Sequence, residues 1–222
     1  MSTFYIVATP IGNLEDITLR AIRILKEVEI VLCEDTRVTK RLFERHGIST
    51  TMMSYHAQSG ETKVDLILEK ISENRDIALV TDAGTPGISD PGSQLVSIIR
   101  EKYPDLSIVS IPGPSALISA LSIAGVPMHE FIFLGFMPHK KGRETLFKEI
   151  AESDRTIVFY ESTHRILKTL ESLRKVNKKV TIARELTKIY EEVLQGTADE
   201  ILNILINTPE KQKGEFVIIV SK

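Results

Sequence analysis

The chain has 222 residues, of which 42% are hydrophobic and 26% are charged, a composition typical of a folded globular protein. No apolar run approaches the roughly 18 residues that a membrane-spanning helix needs, and the single cysteine excludes an internal disulfide framework. The formal net charge of −2 argues against binding nucleic acid mainly through phosphates, unless a local basic patch supplies the field. We therefore expect a soluble, cytoplasmic protein.

The first half of the chain alternates short runs of β-branched residues with stretches of helical period. Gly47 stands where helices commonly end, and Asp90-Pro91 suits a helix start with Asp90 as the N-cap. The pattern predicts strands at residues 4–9, 30–33, 50–54, 77–81 and 106–111. It predicts helices at residues 18–28, 36–46, 64–71 and 90–101.

The second half continues the alternation after the segment Pro112-Gly113-Pro114, which we take as the domain boundary. Strands are predicted at residues 131–136, 157–160, 180–184, 191–196 and 216–220, with the fourth returning antiparallel. Helices are predicted at residues 115–124, 145–150 and 166–173. The fold class is α/β with two α/β domains, residues 1–112 with a mostly parallel sheet and residues 113–222 with a mixed sheet.

Ligands of open α/β sheets bind beyond the carboxyl ends of the strands, and three segments there are rich in glycine and proline. They are residues 9–13, 82–92 and 112–116. Each alone could be a tight turn between strand and helix. The eleven residues 82–92 hold two aspartates, three glycines and two prolines, more than a connection needs, so they predict a ligand site. Capping explains Asp90, which leaves Asp82 as the candidate ligand residue.

Several common site motifs are absent from the sequence. There is no G-x-G-x-x-G after the first strand, no P-loop and no G-x-S-x-G, which disfavours dinucleotide, nucleotide triphosphate and serine hydrolase sites. The five histidines lack metal-ligand spacing, so no metal site is predicted.

A family resemblance runs in order along nearly the whole chain. It is carried by Thr9-Pro10-Ile11-Gly12-Asn13-Leu14, Glu34-Asp35-Thr36-Arg37, Ser54-Tyr55-His56, residues 82–92 and 111–121, Phe159-Tyr160-Glu161-Ser162 with His164-Arg165, Ala183-Arg184-Glu185-Leu186-Thr187-Lys188, and Gly214-Glu215. These segments resemble the tetrapyrrole (corrin/porphyrin) methylase superfamily, and within it the branch that methylates ribosomal RNA ribose.

The resemblance implies two α/β domains with S-adenosylmethionine in the cleft between them, and a homodimer. It implies 2′-O-methylation of a cytidine in the decoding region of 16S ribosomal RNA, with the free RNA or the small ribosomal subunit as substrate. The cofactor-binding residues that it implies are Ile11, Gly12, Asp82, Gly84, Thr85, Ile88, Ser115, Ala116, Tyr160, Ala183 and Gly214.

A ribose hydroxyl needs a proton acceptor, or a cation that stabilises the developing alkoxide. The catalytic candidates are Asp35, Arg37, His56, Glu161 and Lys188. Asp35 could instead cap a helix, Arg37 could form a surface ion pair, His56 could be a loop residue and Lys188 could face solvent. A lysine base would need a lowered pKa. The sequence does not choose among them.

Two basic clusters are predicted to border the RNA, although a charge run is often only a solvated face. Their RNA-binding candidates are Lys40, Arg41, Lys140, Lys141 and Arg143. Two alternative functions stay open. The acceptor could be a tetrapyrrole carbon, or the chain could be a non-catalytic ribosome-assembly protein that binds RNA.

Overall fold

The structure is a computed structural model that describes residues 2–56, 58–126 and 129–222. The chain forms two compact units, Met1–Ser115 and Ala116–Lys222. Within the described residues, no helix has both the length and the apolar character that crossing a bilayer requires.

The first unit is built on one parallel sheet. Its regular elements in chain order are β1 (Thr3–Val7), α1 (Leu19–Glu27), β2 (Ile30–Cys33), α2 (Thr36–His46), β3 (Thr51–Ser54), α3 (Glu61–Ser72), β4 (Ile77–Leu79), α4 (Gly92–Lys102) and β5 (Ser107–Ile111). The strands lie in the order β3-β2-β4-β1-β5, and every neighbouring pair is parallel. The predicted parallel sheet is confirmed.

Helices cover both faces of this sheet. Val31 and Cys33 of β2 belong to the core beneath α1 and α2, whereas Ile30 and Leu32 belong to the core beneath α3 and α4. All four side chains are buried. Burial on both faces explains why the inner strands β2 and β4 are continuous apolar runs in the sequence.

The helix ends follow the local sequence with one exception. Thr18 accepts a hydrogen bond from the Ala21 backbone N–H as the N-cap of α1, and Gly47 ends α2 with a left-handed φ of 60°. The N-cap of α4 is Pro91, so the prediction that Asp90 caps this helix is wrong. The Asp90 carboxylate instead joins its own loop to the first residue of α4, by accepting from the backbone N–H groups of Gly87 and Gly92.

The second unit is built on a mixed sheet. Its regular elements are α5 (Ala116–Ile123), β6 (Phe131–Phe136), α6 (Arg143–Glu152), β7 (Thr156–Ser162), α7 (Ile166–Leu173), β8 (Lys179–Arg184), β9 (Glu192–Gly196), α8 (Ala198–Asn207) and β10 (Glu215–Ser221). The strand order is β6-β7-β10-β8-β9, with β6 and β7 parallel and the other pairs antiparallel. The predicted mixed sheet is confirmed.

The two faces of the second sheet differ. Helices α6, α7 and α8 cover one face, where Phe159, Ile182 and Ile218 are fully buried in the core. Helix α5 packs against β10. Because strand side chains alternate, Tyr160, Ala183 and Val217 lie on the opposite face from that core. This second face carries the predicted cofactor residues of the unit.

Candidate active site

In the first unit, the loops after β1 and β4 join at the carboxyl edge of the sheet. Thr9 and Gly84 form a backbone bridge, with N···O distances of 2.9 and 3.0 Å. The chain continues from β1 into α1 on one face of the sheet and from β4 into α4 on the other. Adjacent strands whose connections leave to opposite faces open the crevice in which α/β proteins bind ligands.

The side chain of Asp90 fixes the conformation of the loop of residues 82–92, to which it belongs. The Asp90 carboxylate accepts hydrogen bonds from the backbone N–H groups of Gly87 at 2.8 Å and Gly92 at 2.7 Å. Gly87 has a φ of 88°, and a Cβ on Gly92 would lie 2.8 Å from the Asp90 carboxylate. Asp90 therefore stiffens the loop, and glycine is required at both places.

The loop after β5 completes this edge. Thr85 Oγ1 donates to the Pro114 carbonyl at 3.3 Å, and a Cβ on Gly84 would lie 3.5 Å from the Ile11 side chain. Three of the predicted cofactor residues, Ile11, Gly84 and Thr85, are thus brought together. The remaining ones in this unit, which are Gly12, Asp82, Ile88 and Ser115, belong to the same loops.

Three carboxylates, which we call the carboxylate cluster, lie beside these loops: Glu34, Asp35 and Asp82. Asp82 accepts a hydrogen bond from the Asp35 backbone N–H at 3.0 Å, which ties the loop after β2 to the loop after β4. Burial raises the pKa of Asp82, and burial together with the charge of Asp82 raises the pKa of Glu34. The sequence had singled out Asp82, but it gave no reason to choose Glu34.

Asp35 and Arg37 pair with each other. The Asp35 carboxylate caps α2 by accepting from the Arg37 backbone N–H at 2.8 Å, and Arg37 Nη2 lies 2.6 Å from its Oδ2. Hydrogen bonds from the Arg37 side chain and then from its backbone lower the pKa of Asp35 to about 2. Such a weakly basic carboxylate is a poor proton acceptor at neutral pH. His56 lies on the exposed turn after β3, where its backbone N–H donates to Ser59 Oγ at 2.9 Å.

In the second unit, the predicted cofactor residues Tyr160 and Ala183 occupy one row across the sheet. Both are paired with Val217, on β7, β8 and β10 respectively. Tyr160 forms a hydrogen bond with the backbone of Leu117, the residue after Ala116 at the start of α5, and burial raises the pKa of its hydroxyl. Ala183 is buried, and its side chain is only a methyl group.

Gly214 and the Ala183–Lys188 motif meet at one end of this sheet. A Cβ on Gly214, whose φ is 118°, would lie 2.5 Å from Glu185 Cγ, so no other residue fits. Arg184 is buried and donates to the carbonyls of Tyr190, Glu210 and Lys213 at 2.8–3.1 Å. These bonds fasten the segment that leads into Gly214, and the turn at Tyr190, to the end of β8.

The surroundings of Lys188 favour its protonated form, so it can act as a cation but not as a base. Its ammonium group donates to Glu185 at 2.9 Å and to Glu215 at 3.0 Å. Partial burial by itself lowers its pKa, but the two carboxylates outweigh that effect and the pKa is raised above 10.5. A lysine base requires the opposite shift.

Glu161 lies inside a buried charge cluster instead of on the sheet face that carries Tyr160. Its carboxylate is 2.8 Å from Arg165 Nε and 3.7 Å from Arg143 Nη1, and it accepts from the Thr169 hydroxyl at 2.6 Å. The two arginines also donate to the carbonyls of Met137 and Pro138, at 2.7 and 3.3 Å. This buried charge cluster of Glu161, Arg143 and Arg165 therefore anchors the start of the loop after β6.

The remaining basic candidates lie at the surface. Lys40 and Arg41 are exposed on α2, where Lys40 makes a loose pair with Glu44 at 3.8 Å. Lys140 and Lys141 are exposed on the loop anchored by the buried charge cluster, and neither forms a salt bridge with the described residues. Arg143, predicted with them as an RNA ligand, is 7% exposed and engaged in the cluster. Among the described residues, no group of three or more His, Cys, Asp or Glu side chains is placed to hold a metal ion.

Comparison with known proteins identifies the family of the chain. Residues 3–202 match the family model described as Tetrapyrrole (Corrin/Porphyrin) Methylases. The chain belongs to this family. It is 46% identical, over 98% of its length and 75% of the relative's, to ribosomal RNA small subunit methyltransferase I of Halalkalibacterium halodurans. Proteins of the same name match from Haemophilus influenzae, at 43% over 97% of the chain and 77% of the relative, and from Hydrogenobaculum sp., at 44% over 98% and 95%.

Solved structures of the tetrapyrrole methylase family share the fold. The methyltransferase CobJ superimposes with a TM-score of 0.72 at 20% identity, covering 100% of this chain and 95% of CobJ. Uroporphyrin-III C-methyl transferase from Thermus thermophilus, complexed with S-adenyl homocysteine, superimposes with a TM-score of 0.66 at 18% identity, covering 100% and 98%. The family resemblance predicted from the sequence is confirmed.

Proposed function

We propose that this chain is an S-adenosylmethionine-dependent methyltransferase of small-subunit ribosomal RNA, and that it methylates the ribose 2′-hydroxyl of a cytidine in the decoding region of 16S RNA. The observation that carries the proposal is the identity of 43–46% along 97–98% of the chain to proteins named ribosomal RNA small subunit methyltransferase I. Because its substrate is part of the ribosome, the enzyme acts in the cytoplasm.

The residues at the carboxyl edge of the first sheet fit a cationic cofactor. Burial raises the pKa of Asp82, and burial together with the charge of Asp82 raises the pKa of Glu34, so added positive charge beside these carboxylates would be favourable. Gly84 and Gly87 hold positive φ angles of 86° and 88°, which few other residues adopt, so they fix the path of the loop that carries Asp82. When bound, S-adenosylmethionine supplies an electrophilic methyl group and brings positive charge with it.

We assign the cofactor contacts of the first unit to Asp82 and to the backbone of the three loops, including Ile11, Gly12, Thr85, Ile88 and Ser115. In the second unit we assign them to the start of α5 at Ala116, to the row of Tyr160 and Ala183, and to Gly214. Tyr160 is only partly buried, and Gly214 has a φ of 118°, a conformation that favours glycine.

Activation of the acceptor is assigned from the pKa shifts. Glu34 is the proton acceptor that we propose, because its raised pKa makes it a stronger base than Asp35. Lys188, which stays protonated at neutral pH, stabilises negative charge that develops on the acceptor oxygen. Glu161 is left out of the catalytic set, because Arg143, Arg165 and Thr169 hold its carboxylate inside the buried charge cluster.

The RNA contacts are assigned to Lys40 and Arg41 of α2 and to Lys140 and Lys141 of the loop after β6. We also propose that the enzyme is a homodimer, which sedimentation equilibrium measures directly. A monomer over the whole concentration range of the methylation assay would contradict that part.

The test is transfer of labelled methyl from S-adenosylmethionine to purified small ribosomal subunits that lack the modification, followed by nucleoside analysis. A 2′-O-methylated cytidine supports the proposal. Transfer to a porphyrin-like macrocycle instead would move the acceptor to a tetrapyrrole carbon, and subunit binding without any turnover would leave only an assembly protein.

Asp82→Asn and Asp65→Asn provide a matched pair of variants for the cofactor site. Asp65 is exposed on α3, away from the loops at the edge of the sheet. We expect Asp82→Asn to weaken cofactor binding by about tenfold or more, the effect of losing a charge-assisted contact in a partly buried site. Isothermal titration should show no change for Asp65→Asn. Equal affinities of the two variants would remove Asp82 from the site.

A further inference from the structure

Strand β6 carries two phenylalanine rings, Phe133 and Phe136, that the assigned cofactor and acceptor contacts do not include. Phe133 pairs with Val158 and Phe136 with Tyr160, so β6 has one more residue than β7 between these pairs. The extra residue forms a bulge at Gly135, whose φ is 65°. Without it, residues three apart would point to opposite faces of the sheet.

The bulge brings three rings together on one face. The Tyr160 ring lies 4.9 Å from the Phe133 ring and 5.3 Å from the Phe136 ring, both edge to face. We call this group the aromatic ledge. Phe136 is 56% exposed, although β6 is an edge strand on which a polar residue would be the ordinary choice. Bulges often redirect side chains next to functional sites, and here the bulge leaves the ring of Phe136 exposed to solvent.

The ledge is followed directly by fixed positive charge. Lys140 and Lys141 are exposed on the loop after Phe136, and the buried charge cluster holds the first carbonyls of that loop through Arg143 and Arg165. The lysines therefore stand at a short and constrained distance along the chain from the ring. An exposed ring beside basic side chains is the arrangement that binds single-stranded nucleic acid, with a base on the ring and phosphates on the lysines.

We propose that the aromatic ledge receives an unstacked base of the substrate RNA on Phe136, while Lys140 and Lys141 contact the phosphates next to it. The proposal rests on the proposed function, because it identifies single-stranded ribosomal RNA as the form that this surface recognises. Bases in loops and bulges of RNA can be splayed out and stacked on aromatic side chains in this way.

The direct test uses the absence of tryptophan from the sequence. Phe136→Trp places the only tryptophan of the chain on the ledge, and Phe131→Trp places one at the other end of β6, where the native residue is 37% exposed. Titration with a short single-stranded oligocytidylate should quench the fluorescence of Phe136→Trp and leave that of Phe131→Trp unchanged. Charge reversal of Lys140 and Lys141 in the Phe136→Trp background should weaken the quenching and flatten its salt dependence. Equal responses of both tryptophans, or none, would overturn the proposal.

Methylation kinetics give the second readout. We expect Phe136→Ala to raise KM for the small subunit by about tenfold, as for the loss of one base–aromatic stack, with the affinity for S-adenosylmethionine unchanged. Phe131→Ala is the control and should behave as the wild type. A weaker cofactor affinity in Phe136→Ala would assign the ledge to the cofactor, and a change from dimer to monomer in sedimentation would assign it to a second copy of the chain. Either result overturns the proposal.

The two proposals fail in different ways. A wild-type enzyme that methylates subunits, with Phe136→Ala equally active at every substrate concentration, refutes the ledge alone. A wild-type enzyme without methyl transfer refutes the proposed function, and the quenching experiment then decides on the ledge by itself.

Discussion

Replacing Glu161 by glutamine removes one charge from the buried charge cluster and nearly preserves the side-chain shape. The Glu161 side chain has 0% exposure and lies 2.8 and 3.7 Å from its two arginines. Removing one partner of a buried ion pair costs about 3 to 5 kcal/mol, because the remaining charge stays buried without compensation. For a unit of roughly 100 residues, 1 kcal/mol shifts Tm by about 4 to 8 °C. We therefore expect the Tm of Glu161→Gln to fall by at least about 10 °C.

The assay is thermal unfolding followed by far-ultraviolet circular dichroism, with Glu130→Gln as the matched control. Glu130 pairs with Arg155 at 2.9 Å, but their side chains are 71% and 60% exposed, so breaking that pair should shift Tm very little. At temperatures where the fold is intact, Glu161→Gln should raise KM for the subunit, because the loop carrying Lys140 loses its anchor. Equal Tm values for the two variants would refute the reasoning from burial.

Three further changes test other parts of the structure. Gly214→Ala places a Cβ 2.5 Å from Glu185 Cγ, whereas a Cβ at Gly125, which also has a positive φ, would have no atom within 4 Å. Urea denaturation should therefore show a larger loss of stability for Gly214→Ala than for Gly125→Ala. Equal losses would mean that the positive φ alone, and not the contact with Glu185, makes alanine unfavourable at position 214. The pKa of Asp35 is lowered from 3.8 to about 2, so its charge stabilises the fold above the unfolded value and that contribution is lost as pH falls through about 2. The stability difference between the wild type and Asp35→Asn in urea should therefore shrink toward low pH, and a constant difference would contradict this assignment. Lys188→Met should lower kcat by at least about tenfold while Lys188→Arg retains part of it, and equal losses would exclude a role for the charge.

The first unit could be predicted closely from the sequence, because burial on both faces leaves strands that read as apolar runs between amphipathic helices. The strand at residues 30–33 and the helix at residues 36–46 agree with β2 and α2 at both ends. The strands near residues 4–9 and 77–81 are shorter in the structure, because their last residues already belong to the loops that meet at the bridge between Thr9 and Gly84.

The roles of charged residues were less predictable, because they depend on partners that only the tertiary structure supplies. Arg143 stands in a basic run and suggested a phosphate ligand, yet Glu161 and Thr169, from other elements, draw it into the interior. For Glu34 the sequence pattern suggested no role, and only its burial beside Asp82, which raises its pKa, distinguishes it from other glutamates near the surface.

The local shape of β6 also lay beyond the sequence pattern. A glycine within a strand suggests a bulge but does not show which of the neighbouring side chains changes to the other face of the sheet. The pairing of Phe136 with Tyr160 supplies that information, and it alone explains how both phenylalanines reach the same ring.

The buried charge cluster also affects the order of folding. Each of its charged groups comes from a different place in the chain, with Glu161 on β7, Arg143 at the start of α6 and Arg165 just before α7. An intermediate in which only some of these elements have docked carries an unpaired charge in a desolvated place, so we expect the cluster to close late. Substitutions there should accelerate unfolding more than they slow folding. We therefore expect the loop with Lys140 and Lys141 to become ordered only when the surrounding unit is complete, so a partly folded chain would lack the surface that we propose for RNA.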